Sequence, residues 1–444
     1  MLGPTIALIA LSLALGWAVL HRAGVYPADW SVTLLATGVV TCCYWLFTKR
    51  RDRAPAVRNW LRIAIWALPG YIALQLVPLP LGVVSFLSPA RAGLARSLAP
   101  VIPGIRSTPL SSDVAATVLG LFTILGYIAT FFLVRELAWR WNASCWIPVI
   151  PLLVISTLEG ILGIYQFVAG HLAHASGTYT NYDHFSGLLE MTFPLAALFG
   201  VALIRSGKKS EGAPLLPALA ACLAWAVAGL LLLGIACSLS RGGFAISLCT
   251  LFLVIALSVG FHVSSRRARL VGLLTAGAAI LVLAVALPSQ QLIGRLVLSG
   301  PEGAGEKASI DTRVQLWQET LPLIAQFPVF GCGLGAYESN FLQHQRVAYG
   351  YRIQFAHNDY LQALAELGFA GFAILLAVVF GVMSQIFKGM SRLAEEDRRL
   401  LVIACGGSLA AILLHSLVDF NLHIPANAMT LAWIAGVGSI NGLD

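Results

Sequence analysis

The sequence predicts an all-α, polytopic membrane protein of about twelve transmembrane helices, and three observations carry that expectation. Of 444 residues, 58% are hydrophobic and only 11% charged, against roughly 25% charged in soluble domains. Lipid or other apolar helices must therefore surround most side chains. The apolar residues gather into runs close to the roughly 20 residues that cross a bilayer. The Lys and Arg residues, which set the net charge at +8, cluster in short loops between those runs, where positive charge fixes orientation.

The runs fall at 4–21, 30–48, 60–80, 113–134, 146–168, 184–204, 216–238, 243–262, 270–287, 368–387, 400–418 and 425–441. Each is read as a helix because lipid offers no partner to an open backbone. The first, Ile6 to Leu20, lacks a basic leader and precedes further spans, so it is expected to be a retained helix. With the amino terminus inside, the cytoplasmic loops collect most of the basic residues, among them Lys49, Arg50, Arg51, Arg53, Arg135, Arg205, Arg266 and Arg398. Both termini are then cytoplasmic. Five further basic residues, Arg295, Lys307, Arg313, Arg346 and Arg352, fall in a long external loop, where the rule has little force.

The organisation expected is spans one to nine over 1–287, one large external loop over 288–367, and spans ten to twelve over 368–444. A second external segment, 81–112, carries Pro89, Pro100, Pro103 and Pro109, a density that breaks any long helix. Inside the large loop, 311–327 reads as an amphipathic helix with Val314, Trp317, Leu321 and Ile324 at helical spacing. Pro322 is expected to kink it, and it is suited to lie along the membrane surface. The Gly331-Cys332-Gly333-Leu334-Gly335 run that follows lacks the Lys-Ser/Thr element of a phosphate loop and is read as a turn.

Composition also excludes function classes. The basic residues form no soluble domain and no nucleic-acid motif, so nucleic acid is not an expected partner. Of the eight cysteines, six lie in apolar runs, and none has a zinc or disulfide spacing.

Three polar constellations face outward in this topology. They are Gly177 to Phe185, Ser238 to Gly243, and the long loop with Asp311, Arg313, Trp317 and the stretch Phe355 to Gln362. Arg241 sits between two apolar runs beside Gly242 and Gly243. It either snorkels to headgroups or binds an anion, for a guanidinium grips phosphate oxygens bidentately. Arg313 opens the amphipathic helix. His357, followed by Asn358 and Asp359 at a helix start, is either a surface or capping residue or a general base, since His titrates near neutrality. Asp183, His184 and Asn181 are candidates for binding ligand hydroxyls, or else Asn181 or Asp183 caps a span. Glu159 and Glu190 lie within apolar runs, where a carboxylate needs a partner. Asp419 and His423 are placed in the last external loop.

These stretches carry a resemblance. Gly-Thr-Tyr-Thr-Asn-Tyr-Asp-His-Phe from Gly177, Ser-Leu-Ser-Arg-Gly-Gly-Phe from Ser238, Arg313 with Trp317, Pro328 to Tyr337, Ala356 to Gly371 and His415 to Ala428 together resemble the O-antigen ligase / O-antigen polymerase superfamily of the bacterial envelope. The resemblance covers 175–430. It implies a GT-C-type inverting glycosyltransferase of the bacterial inner membrane, with no cofactor and no metal and with a periplasmic active site. The implied donor is an undecaprenyl-pyrophosphate-linked glycan. The implied acceptor is lipid A-core for a ligase, or a second lipid-linked glycan for a polymerase. By the same resemblance Arg241 and Arg313 bind the donor pyrophosphate and His357 is catalytic. Asn181, His184, Trp317, Asn358 and Asp359 are expected to hold the acceptor or support the site. From a different class, a lipid-linked sugar transporter stays open. It predicts paired deep charges and repeat symmetry.

Overall fold

The computed structural model describes residues 2–48, 53–141, 144–170, 172–209, 215–286, 304–350 and 352–440. Lys49, Arg50, Arg51 and the start of the long loop, 287–303 with Arg295, lie outside the described residues. Each of the twelve expected runs holds a helix. In chain order the helices are α1 Leu2–Leu20, α2 Pro27–Phe47, α3 Asn59–Leu76, α4 Leu81–Leu87, α5 Pro89–Ser97, α6 Val114–Arg140, α7 Ile150–Val168 and α8 Tyr182–Lys209. They continue with α9 Leu215–Ser238, α10 Arg241–His262, α11 Arg266–Ala286, α12 Ala304–Gln326, α13 Tyr337–Phe341, α14 Asp359–Arg392, α15 Glu396–His415 and α16 Pro425–Ile440. Among the described residues, ten helices are long and apolar enough to cross a membrane. Of the twelve runs, α3 and the 16-residue α16 are not among those ten.

The core is built where small residues let helices close. α8 packs against α9 and α15, and α16 packs against α6. α16 is enclosed along almost its whole length, from Pro425 to Ile440, and Trp433 at its centre is fully buried with its indole nitrogen donating to Pro148 O at 2.8 Å. The Pro-rich 81–112 segment folds as α4 and α5, closed by a two-residue antiparallel pairing of Leu79–Pro80 with Ser107–Thr108.

Three expectations in the long loop need correction. The amphipathic helix starts at Ala304 and passes through Pro322 as one helix, so Arg313 lies within it rather than at its opening. Its buried face is Leu316, Glu319, Thr320, Leu323 and Ile324, while Val314 and Leu321 are exposed. The face turns because Glu319 is satisfied inside by Gln315 Nε2 at 2.8 Å, Arg346 N at 3.0 Å and Tyr349 OH at 2.9 Å. A buried carboxylate is tolerable when its oxygens are all engaged.

The tenth span begins at Asp359 rather than 368, but it is broken at Gly368, whose φ of 62° and ψ of −177° are not helical. The Gly-rich run fills that break. Phe369 N donates to Pro328 O at 2.8 Å and Ala370 N to Val329 O at 3.1 Å, while Cys332 N donates to Ala365 O at 2.9 Å and Gly333 N to Glu366 O at 3.0 Å. A side chain at Gly331 would collide with the backbone of Glu366 and Gly368, and one at Gly368 with the backbone of Val329. From α3, Tyr71 OH donates to Leu367 O at 2.6 Å and Gln75 Nε2 to Phe330 O at 2.8 Å. The glycines thus permit a backbone-to-backbone seam in apolar surroundings, where unpaired amides are costly.

Candidate active site

All the outward constellations meet at one end of the bundle, where α8, α10, α14 and α16 begin and α15 ends. The 177–185 stretch is fixed from below. Glu159 accepts from Thr178 N and from its hydroxyl, both at 2.9 Å, and Gln166 Nε2 donates to Gly177 O at 2.7 Å. Asn181 Oδ1 accepts from Asp183 N at 2.8 Å and so caps α8. Asp183 and His184 then face inward in the first turn, and both are buried.

α10 enters through a tight turn. Leu239 adopts a left-handed conformation, φ 60°, and the Ser240 hydroxyl accepts from Gly243 N at 3.2 Å as an N-cap. Gly243 has no space for a side chain because Ser186 Oγ of α8 occupies it, and a Cβ on Gly242 would be 3.3 Å from His415 Nε2. Glycine at these two positions brings the positive end of a 22-residue helix, together with Arg241, against α8 and the end of α15.

The centre is Asp419, which is fully buried in the turn between α15 and α16. Its Oδ1 is 3.4 Å from His357 Nδ1 and 3.7 Å from His184 Nε2, and its Oδ2 is 3.6 Å from Arg313 Nη2. The same Arg313 Nη2 donates to Asp183 Oδ2 at 3.1 Å. Burial alone would push the Asp419 carboxyl up, but His184, His357 and the Arg313 charge together hold it well below the usual range. Burial tends to lower the Arg313 pKa, and the two carboxylates more than reverse this, so the guanidinium is firmly charged. Donor and acceptor atoms of Asp183, His415 and Asp419 lie within 4.8 Å of one another, a set that could ligate a cation. In this arrangement Arg313 supplies the positive charge to both carboxylates, and His415 Nδ1 is engaged by Glu190 Oε1 at 3.0 Å.

His357 does not begin the helix. It stands just before it with a left-handed backbone, φ 49°, which a non-glycine residue adopts only when its surroundings hold it there. Trp317 Nε1 donates to His357 O at 3.3 Å, and the imidazole meets the Phe420 ring edge-on at 4.7 Å. Asn358 is the N-cap of α14, accepting from Tyr360 N and Leu361 N at 3.0 Å each and donating to Leu417 O at 2.9 Å. Asp359 is buried. It accepts from Ser416 Oγ at 2.8 Å, Leu422 N at 3.1 Å and His423 Nδ1 at 2.6 Å. Asn358 and Asp359 therefore tie the start of α14 to the turn that carries Asp419.

A cavity of 220 Å³ opens beside His357, lined by Asn181, His184, Phe355 and Phe420 and by Arg352 at its rim. Of the residues singled out from sequence, His357, Arg313 and His184 converge on one carboxylate and Trp317 holds the His357 carbonyl, while Arg241 opens α10 next to Gly242, the position that borders His415. Sequence reasoning placed Asp419 only in the last external loop. The four-residue spacing of His415 and Asp419, inside an otherwise apolar stretch, was the available signal for its central position.

Residues 226–376 match the family model described as O-Antigen ligase. That segment runs from α9 into α14 and contains Arg241, Arg313, Trp317 and His357. No curated protein matches the chain. The match thus covers about a third of the protein, within a multi-pass membrane framework.

Proposed function

Taking the O-antigen ligase domain over 226–376 as its premise, we propose that this protein is an inverting, metal-independent glycosyltransferase of the GT-C type. It moves a glycan from undecaprenyl pyrophosphate to a lipid A-core acceptor at the periplasmic face of the bacterial inner membrane, with both termini cytoplasmic. The observation that carries the reading is Asp419 touching both Arg313 and His357, at 3.6 and 3.4 Å. One buried carboxylate thereby sets the distance between a phosphate-binding cation and a base.

The chemistry follows from those positions. A carboxylate at Nδ1 favours the tautomer that carries its proton there, leaving His357 Nε2 free to accept a proton. The acceptor hydroxyl attacks the anomeric carbon and gives its proton to Nε2 as the new C–O bond forms. The bond from the anomeric carbon to the pyrophosphate oxygen breaks on the opposite side, and the pyrophosphate leaves with the bonding electrons. Attack and departure on opposite sides invert the configuration. Arg241, Arg313 and the positive end of α10 stabilise the departing charge, a part that preorganised donors play in many transfers. Glu159 and Glu190, which lie within the apolar runs of α7 and α8, are held by Thr178 and His415, which suits fixed structural partners better than the moving charges of a transporter.

The test is transfer from a polyprenyl-pyrophosphate-linked glycan by the purified protein in EDTA, with lipid A-core and a second donor molecule offered together. Transfer to lipid A-core that collapses in His357→Ala, Arg241→Ala and Arg313→Ala is expected. Elongation on the carrier would make the protein a polymerase. Full activity in His357→Ala would remove the base, and no transfer to any acceptor would return the transporter.

A further inference from the structure

The opposite end of the bundle holds a charge that glycan transfer does not use. α6 starts against the Gly-rich run, where Gly335 borders Ala116, and ends at Arg140 on the face that the basic loops assign to the cytoplasm. Arg135 lies about 7.5 Å before that end at 1.5 Å per residue. It is only 3% exposed, so it does not snorkel into water as a charge near a helix end usually does. α16 closes over it. A side chain at Gly436 would collide with Phe131 O and crowd Arg135 N.

The Nε and Nη2 atoms of Arg135 are both enclosed, and neither donates to an acceptor among the described residues. These two nitrogens carry the parallel N–H bonds on one edge of the guanidinium, the fork that grips two oxygens of a phosphate or carboxylate at once. Glu136, the next residue, is engaged elsewhere, with both oxygens accepting from Ala54 N at 3.1 and 3.0 Å. Arg53, Arg135 and Arg140 all act on that one carboxylate, so positive charge is in excess here. Arg140 Nε and the Tyr44 hydroxyl are likewise enclosed without a partner. Tyr44 adjoins Trp45, whose carbonyl accepts from Arg53 Nη2 at 3.3 Å. A buried cation stripped of its counter-charge is strongly unfavourable, and this set of donors fits an oxyanion.

The surroundings identify the kind of oxyanion. Trp45, Trp60, Trp139, Trp141 and Trp146 mark the ends of α2, α3 and α6 and the entry to α7 at this level, and tryptophans gather at the depth of lipid headgroups. Leu46, Phe47 and Ile63 beside them are exposed, an apolar surface suited to acyl chains. We propose that the Arg135 fork binds the phosphate of an anionic phospholipid in this leaflet, with Arg53 and Arg140 at the rim. Basic pockets between helices on the cytoplasmic side take such headgroups. The bound lipid would supply the counter-charge that the chain lacks and so strengthen the packing of α6 on α16. This site stands apart from the transferase reading.

The test is native mass spectrometry of the purified full-length protein, stripped of lipid by detergent exchange. It is titrated with dioleoylphosphatidylglycerol, dioleoylphosphatidylcholine or inorganic phosphate, and melting temperature is read in parallel. One phosphatidylglycerol is expected to bind ahead of any others and to raise the melting temperature; phosphatidylcholine at equal concentration should do neither. Arg135→Gln should weaken that first binding at least about tenfold, the loss of one charge-assisted pair of hydrogen bonds. Arg140→Gln should weaken it less, and it carries the comparison if Arg135→Gln fails to fold. Arg267→Gln, which removes the same charge from an exposed position on α11, should leave the binding unchanged. Equal binding of the two lipids, or undiminished phosphatidylglycerol binding in the Arg135 and Arg140 variants, would overturn the proposal. Displacement of phosphatidylglycerol by millimolar inorganic phosphate would assign the fork to a free anion and reject the lipid. None of these readouts needs glycan transfer, so failure of the transferase reading leaves them intact.

Discussion

Replacing Asp419 by Asn keeps the shape of the side chain and removes the charge that connects Arg313, His184 and His357. Two losses are expected, and they differ in size. Breaking a buried ion pair by removing one partner costs about 3–5 kcal/mol when the other charge is stranded. Arg313 is not stranded, because Asp183 remains at 3.1 Å, so the cost in stability should fall nearer 1–3 kcal/mol, that of an imperfectly paired buried polar group. The loss in rate is larger. A positioned general base contributes about 10²–10⁴-fold. His357 keeps its anchor to Trp317 and its packing on Phe420 in the variant, so only the orienting part is lost and a fall in kcat of about 100-fold is expected. The assay is glycan transfer at saturating donor, run on Asp419→Asn, His357→Ala and the double variant, with melting temperatures alongside. If Asp419 acts through His357, the double variant is no slower than His357→Ala, since residues acting as one unit are not additive. Activity within threefold of wild type in Asp419→Asn, or fully additive losses, would refute the argument.

Three further outcomes follow from the same geometry. Gly243→Ala should abolish transfer while leaving most of the fold, because a Cβ there collides with Ser186 Oγ and pushes the start of α10 off α8. Adding Ser186→Gly should restore part of the activity. Gly368→Ala should lower stability by at least about 3 kcal/mol, from a left-handed backbone at φ 62° worth roughly 1–3 kcal/mol of strain and a collision with Val329; thermal unfolding in detergent reads it. The third concerns pH. Burial lowers the His423 pKa, but Asp359 and Glu366 raise it more, to about 10, above the ordinary value of roughly 6.5. Its contribution to stability is therefore complete below about pH 6.5 and lost as pH rises towards 10. Asp419, held well below its ordinary value, contributes above about pH 4 and loses that contribution on acidification. The melting temperature should thus fall on the alkaline side in wild type, and His423→Gln should flatten that limb. An unchanged alkaline limb in the variant would count against the cluster.

The helical framework was legible because hydropathy reports directly on the solvent around each helix, and all twelve apolar runs hold helices. The ends were less so. α14 begins at Asp359 because Asn358 caps it, and its apolar run begins at 368 because the polar turns before Gly368 face a loop rather than lipid. The face of α12 was misjudged because Glu319 looks like a surface residue until its three donors, two of them 27 and 30 positions away, are known. The candidate site was legible in its pieces. Arg241, Arg313 and His357 are conspicuous by chemistry. Asp419 is not, since its role depends on three partners far away in sequence and on the fold that gathers them.

The seam between 328–334 and the break in α14 bears on how the protein holds together. In an apolar medium the break around Gly368 satisfies its backbone through Pro328 to Gly333 of the preceding loop, and that segment is held in turn by Tyr71 and Gln75 of α3. Three parts of the chain, α3, 328–334 and the break in α14, therefore have to be together for any of them to be fully hydrogen-bonded. Residues 328–334 thus complete, from outside the helix, the backbone pairing that the break at Gly368 opens. A chain that lost this contact would be left with unpaired amides at the break, which are costly in apolar surroundings.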